Sequence, residues 1–133
     1  MKKASVSVSA VIPASAKEIY SAWLSAKGHA AMTGGAAKAT ARVGCRFAAW
    51  DGYIEGKNLK LVPPSLIVQA WRTSDFPEDA PDSRLEIALE VAKGGTRIML
   101  KHTDIPAGQA KGYKQGWIDF YFKPMKEYFS KKK

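Results

Sequence analysis

The widest hydrophobic pattern in the chain spans residues 109–130 and has the period of an α-helix. Asp119, Lys123, Lys126, Glu127 and Ser130 fall at helical spacing into one polar stripe. Tyr113, Trp117, Phe120 and Tyr121 lie along one edge of the opposing apolar arc, and Ile118, Phe122, Met125 and Phe129 along the other. One neighbouring helix cannot cover an arc that wide. It calls for a curved sheet wrapped around it. Pro124 lacks the amide that would bond the Phe120 carbonyl, so a kink is expected there.

The preceding residues supply the strands. Val6, Val8, Ala10 and Ile12 alternate with Ser5, Ser7 and Ser9 in a half-buried strand that Pro13 ends. Ser15-Ala16-Lys17-Glu18 reads as a capping box opening a short helix, with Ile19, Ala22, Trp23 and Ala26 as its buried face and Gly28 as its stop. His29 to Met32 predict a second helical turn before Gly34-Gly35, with His29 at the surface. Strands are expected over residues 36–41, 46–50, 53–62 and 66–72, with Asp51-Gly52 as a hairpin turn and Gly56 as a bulge that leaves the facing of Tyr53, Glu55 and Lys57 open. After a polar loop over residues 73–82, Leu85, Ile87, Leu89 and Val91 point inward from the next strand. Ile98, Leu100 and His102 do so from the last. This order predicts an α+β fold of the helix-grip kind, as one domain over residues 1–133: a curved antiparallel sheet around a long C-terminal helix, with two short helices after the first strand.

Charge changes this picture little. Of the formal net charge of +9, five positive charges are Lys2, Lys3, Lys131, Lys132 and Lys133, at ends expected to fray. The other basic residues are scattered, and no zinc finger, RNA-binding aromatic motif or basic recognition helix occurs, so no specific nucleic-acid partner is expected. Cys45 is the one cysteine, which leaves no intramolecular disulfide and no CxxC site. With His29 and His102 it completes the nitrogen and sulfur ligands, and their spacing pairs none of them. No metal and no cofactor are expected. Neither glycine pair sits in a nucleotide-binding sequence. No apolar run reaches the roughly 18 residues of a membrane span, and a cytoplasmic location is expected.

Asp51-Gly52-Tyr53-Ile54-Glu55-Gly56, Leu61-Val62-Pro63 and Ile67-Val68-Gln69-Ala70-Trp71-Arg72 resemble the central strands of the START-like (SRPBCC) superfamily. Within it they look most like the branch of activators of heat-shock-protein ATPase. Ile105-Pro106, Gln115-Gly116-Trp117, Tyr121-Phe122 and Met125 are similar to that branch's closing helix. The resemblance covers nearly the whole chain. It implies a helix-grip fold with an apolar cavity between helix and sheet, but not one activity, since relatives include lipid carriers, polyketide cyclases and hormone receptors. The eukaryotic co-chaperone of this branch has a separate N-terminal chaperone-binding domain that this sequence does not include.

His102 shares its inward parity with Ile98 and Leu100, near the expected cavity mouth. With Asp104 or Tyr113 beside it, a general acid or base there would be reasonable chemistry. The other reading is a histidine hydrogen-bonded at a strand end. Burial without a charged partner would lower its pKa; a carboxylate partner would raise it. The aromatics also admit two readings. Trp71, Leu85, Ile87, Leu89, Ile98 and Leu100, together with His102, Tyr113, Trp117 and Tyr121, line a ligand cavity, or they form a filled core. Gly112 and Gly116 cost a helix about 1 kcal/mol each, which close approach to the sheet or an opening lid would explain. The leading expectation is a protein that binds a small apolar or aromatic ligand without catalysis. The alternative is a chaperone-associated interaction module; the third is an enzyme using His102 with Asp104 or Tyr113.

Overall fold

The computed structural model describes residues 3–131; Lys2, Lys132 and Lys133 lie outside the described residues. Serine alternating with apolar residues forms β1 (Lys3–Ile12). The capping box forms as expected, with Ser15 and Glu18 each closing on the other's backbone N–H, and starts α1 (Ala16–Trp23). Gly28 does not stop this helix. Ser25 caps a new one, α2 (Ala26–Thr33), and Gly28 lies inside it, where an added Cβ would come within 2.7 Å of the Ala22 Cα. The helices approach too closely there for any side chain. Ala26 is exposed in consequence, and His29, Met32 and Thr33 form the buried face of α2, so His29 is a core residue rather than a surface one.

The strands are β2 (Ala37–Lys38), β3 (Arg46–Ala49), β4 (Ile54–Val62), β5 (Leu66–Thr73), β6 (Ser83–Ala92) and β7 (Gly95–Pro106). With β1 they make one antiparallel sheet of seven strands in the order β1-β7-β6-β5-β4-β3-β2. The chain closes with α3 (Ala110–Gly116), a π-helical segment (Trp117–Phe122) and α4 (Lys123–Lys131). Trp117, Tyr121, Phe122, Met125 and Phe129 bury against the inward residues of the sheet and against Ile19, Trp23 and Leu24 of the early helical region. The α+β helix-grip architecture is the one the periodicities predict.

Several local expectations change. The strand expected over residues 36–41 shrinks to two residues. Gly56 is not a bulge: it pairs in register with Phe47 and Trp71, and an added Cβ would strike the Phe47 ring and the Ala70 carbonyl. The extra residue of β4 is Leu59, between Asn58 and Lys60. Glu55 and Lys57 therefore face solvent, while Ile54, Gly56 and Asn58 face inward. Val91 is 90% exposed, because the hairpin it ends outruns the core; its partner Thr96 is covered instead, donating to the Ala14 carbonyl at 2.7 Å. At Pro124 the helix adjusts in the preceding turn: the Lys123 N–H bonds the Ile118 carbonyl, five residues back, and the π-helical segment absorbs the proline. Of the lysines at the chain ends, Lys3 is the first residue of β1 and Lys131 the last of α4.

Asn58, 1% exposed, pins residues 40–45 to the sheet. Its Nδ2 donates to the Thr40 and Arg42 carbonyls at 2.8 and 3.0 Å, and its Oδ1 accepts from Gln69 Nε2 at 2.9 Å. Gln69 Oε1 has no partner among the described residues, so Gln69 has no spare bond to lose. Asn58→Ala is expected to destabilise the fold by about 2–3 kcal/mol in urea denaturation, the cost of leaving buried amides unpaired. A change under about 0.5 kcal/mol would show that the network is solvated.

Candidate functional site

Between the β3–β4 turn, β5 and the C-terminal helix lies an open pocket of about 320 Å³. Trp50, Tyr53 and Ile54 line it from the turn and the start of β4, and Trp71 from β5. The helix contributes Gly112, Tyr113, Gly116, Trp117, Phe120 and Tyr121. Seven of these ten residues are aromatic and none is charged. Phe120, which the helical pattern places among buried residues, is 57% exposed and forms the rim, edge-on to Trp50 with ring centres 5.8 Å apart.

The backbone is bent to supply this lining. Trp50, Asp51 and Gly52 all have positive φ, at 54°, 58° and 89°. For tryptophan and aspartate the left-handed region costs on the order of 1–2 kcal/mol per residue. Gly35 lies beneath Trp50, where any Cβ would meet the indole at 2.4 Å. The ring is held over the pocket by strain on one side and close contact on the other.

A ring of polar bonds ties the mouth together. Thr73 Oγ1 and the Tyr113 hydroxyl are 2.7 Å apart, and Tyr113 donates to Gln109 Oε1 at 2.6 Å, so the threonine is the donor to tyrosine. Gln109 Nε2 donates to the Asp75 carbonyl, and the Asp75 N–H returns to Thr73 Oγ1. Tyr53 joins through its hydroxyl, which donates to Asp75 Oδ2 at 2.6 Å. Burial pushes the Tyr113 phenol up to about 12, so at neutral pH it is a hydrogen-bonding group and not a base. The loop over residues 73–82 is anchored by Phe76, packed on Trp71 and Tyr113, and by Arg72, which donates to Ala80, Pro77 and Asp82. Nothing in its polar composition announces Phe76 as an anchor.

Both histidines are sealed in the core beside the pocket, and neither lines it. Trp117 Nε1 can only donate, and it reaches His102 Nδ1 at 3.2 Å, so the proton of the neutral ring is on Nε2. Nε2 donates to Ser83 Oγ at 2.8 Å, and the Ser83 hydroxyl donates to the Trp71 carbonyl at 2.6 Å. Burial lowers the His102 pKa to about 3. At His29, Nδ1 donates to the Trp23 carbonyl at 2.9 Å and Nε2 accepts from the Tyr121 hydroxyl at 2.8 Å. Burial lowers this pKa too, against a smaller opposing effect of the Trp23 bond. The spacing of His29, Met32 and Thr33 is the signal that could have placed His29 inside.

The expected site residues therefore divide. Trp71, Tyr113, Trp117 and Tyr121 meet at the pocket. Leu85, Ile87, Leu89, Ile98 and Leu100 are packed in the core with His102 beside them, outside the pocket lining. Asp104 is exposed with φ of 61° at an irregularity where β7 gains a residue against β1, and it makes no bond to His102. Trp50, Tyr53, Ile54, Gly112, Gly116 and Phe120 complete the lining; Trp50 and Tyr53 belong to the turn whose geometry periodicity does not reveal. Among the described residues no group of three or more His, Cys, Asp or Glu side chains is placed to hold a metal ion.

A family model described as "Activator of Hsp90 ATPase homolog 1-like protein" matches residues 13–130. The chain belongs to this family. Of the curated relatives of the activator family, the human "Activator of 90 kDa heat shock protein ATPase homolog 1" is 29% identical over 115 residues, which are 86% of this chain and 34% of the human protein. The chain spans about a third of the length of the curated relatives it matches. Among solved structures, an HSP90 activator from Plasmodium falciparum superposes with a TM-score of 0.81 at 23% identity, covering 90% of this chain and 91% of that one. The Aha1 dimer from Colwellia psychrerythraea does so with a TM-score of 0.75 at 17% identity, covering 92% and 93%. At these identities the two structures speak for the activator-type fold.

Proposed function

We propose that this protein binds a small apolar or aromatic ligand in the pocket between the β3–β4 turn, β5 and the C-terminal helix, without catalysis of its own. One observation carries the reading: a space of about 320 Å³ lined by seven aromatic residues and no charge, set against the hydrophobic core. Water is a poor occupant of such a space, and ligand sites are typically apolar with a few polar groups at the edge. The strained backbone at Trp50 supports the same reading, because strain of this kind collects at binding sites. Trp71, Trp117 and Tyr113 are the proposed contacts, with Trp50 and Phe120 at the entrance. An acid–base role for His102 has no support in this geometry, since both ring nitrogens are engaged and away from the pocket.

Membership of the activator family favours a second reading, a surface that engages a 90 kDa heat-shock chaperone. One set of experiments separates the two. Uncharged naphthalene derivatives and medium-chain alcohols should change Trp fluorescence and raise the melting temperature; at a concentration a hundredfold above Kd, linkage adds about 2.7 kcal/mol. Phe120→Ala should weaken this response while leaving the fold intact, since Phe120 is exposed. No response to any probe, together with a changed chaperone ATPase rate that Phe120→Ala leaves unaltered, would move the function to the surface.

A further inference from the structure

The two glycines of α3 that line the pocket do not serve packing. A Cβ at Gly112 would meet nothing within 4 Å, and at Gly116 only Phe120, itself a lining residue, at 3.8 Å. Gly28, Gly35 and Gly56 differ, because neighbouring atoms already occupy the place of their side chains. Glycine in a helix is destabilising unless its missing side chain makes room for something. At positions 112 and 116, one helical turn apart, that room opens on the pocket. The close approach of helix to sheet expected from these glycines is absent, and the backbone of α3 is laid bare along one wall.

A second observation concerns a polar group of the pocket wall. Trp71 is 3% exposed and lines the pocket. Its indole N–H has no hydrogen-bond partner among the described residues, yet it is not sealed off as Gln69 Oε1 is. The pocket that Trp71 lines is the space from which a partner for it could come. The other lining donors are spent: Tyr53 on Asp75, Tyr113 on Gln109, Tyr121 on His29 and Trp117 on His102. Trp50 also turns toward the Tyr121 hydroxyl, whose pKa this contact lowers against the larger raising effect of burial.

We propose that Gly112 and Gly116 are the specificity-determining positions of the pocket, seating a flat, uncharged, fused-ring aromatic ligand against the helix backbone, with an oxygen acceptor of that ligand on the Trp71 indole N–H. This rests on the pocket being a ligand site and names what the site takes. Volume sets the size: a cavity of about 150 Å³ admits benzene, and 320 Å³ leaves room for two or three fused rings. The uncharged lining excludes an ionised ligand, whose desolvation no side chain would offset. A ring slides along a wall without side chains; a branched or puckered ligand leaves that wall uncovered.

The test uses 2-acetylnaphthalene, its isostere without the acceptor, 2-isopropylnaphthalene, and the saturated, puckered 2-acetyldecalin, titrated by Trp fluorescence into wild type, Gly112→Ala, Gly116→Ala and Trp71→Phe. Wild type should bind the acetyl compound at least tenfold more tightly than either of the others. Each alanine should raise the ligand-free melting temperature by about 2–5 °C, through helix propensity, and weaken 2-acetylnaphthalene at least tenfold. Trp71→Phe should abolish the preference for the acetyl over the isopropyl compound and retain binding of both. Alanine variants that bind like wild type, or that melt lower, overturn the assignment of the glycines while the ligand site stands. Equal affinity of wild type for the flat and puckered compounds overturns the ligand class. Failure of wild type to bind any of the three, with no change in melting temperature, overturns the ligand site and this inference together.

Discussion

Trp117→Ala is expected to destabilise the protein by about 3–5 kcal/mol, the range for removing a fully packed aromatic side chain. Trp117 is 3% exposed and is in ring contact with Trp23, Trp71, His102 and Tyr121, so its loss opens a space that no single neighbour can fill. It also strands His102 Nδ1, for which the Trp117 N–H is the donor. Trp117→Phe separates the two effects, keeping most of the volume and removing the donor, and should cost about 1–3 kcal/mol. Urea denaturation of both variants measures the difference. A loss below about 1 kcal/mol for the alanine variant would mean that the helix presents a different face to the sheet.

Stability should fall by about 2 kcal/mol between pH 7.5 and pH 5 through His102 alone. Its pKa in the fold is about 3, against an ordinary 6.5, because the ring is buried where a charge cannot be solvated. The unfolded chain therefore binds a proton that the native state refuses. A depressed histidine contributes fully above the unfolded pKa of about 6.5 and withdraws about 1.4 kcal/mol per unit as the pH falls below it. His29, lowered for the same reason, acts in the same direction. The His102 environment also requires the neutral form, since a second ring proton would face the Trp117 N–H, which can only donate. Urea denaturation at the two pH values reads the loss, and His102→Gln should remove part of the slope. Stability unchanged from pH 7.5 to 5, or an imidazole that titrates above 6.5 by NMR, would show that a charged partner reaches the ring.

The sheet and the closing helix were legible because periodicity reports directly on burial. Leu85, Ile87 and Leu89 alternate inward, and Trp117, Tyr121, Met125 and Phe129 recur at helical spacing; all of them are in the core. What periodicity cannot report is where an element runs past the core, as at Val91, or where an inserted residue resets the phase, as at Leu59 and near Asp104. The candidate site was legible only on its regular walls. Trp71, Tyr113, Trp117 and Tyr121 sit on a strand and a helix, whereas Trp50 and Tyr53 owe their place to a turn of successive left-handed residues. Asp51-Gly52 announced a turn; that Trp50 would also adopt positive φ depends on the tertiary contact with Gly35. The two histidines show the same limit: parity put His102 inside, but only the partners Ser83 and Trp117 decide that it is a neutral bridge.

The π-helical segment has a bearing on how this sequence can change. A turn closed five residues back holds one residue more than an α-turn, and each α-helical residue advances the phase by about 100°. The segment from Trp117 to Phe122 thus separates two registers within one helix. Upstream, Gly112, Tyr113 and Gly116 are phased to the pocket; downstream, Met125 and Phe129 are phased to the closed core. Substitutions in the first register can remodel the binding wall while the second keeps its grip on the sheet. Deleting a single residue within the segment would let it close as an ordinary α-turn with Met125 and Phe129 still facing the core, whereas adding one would turn these anchors away from it.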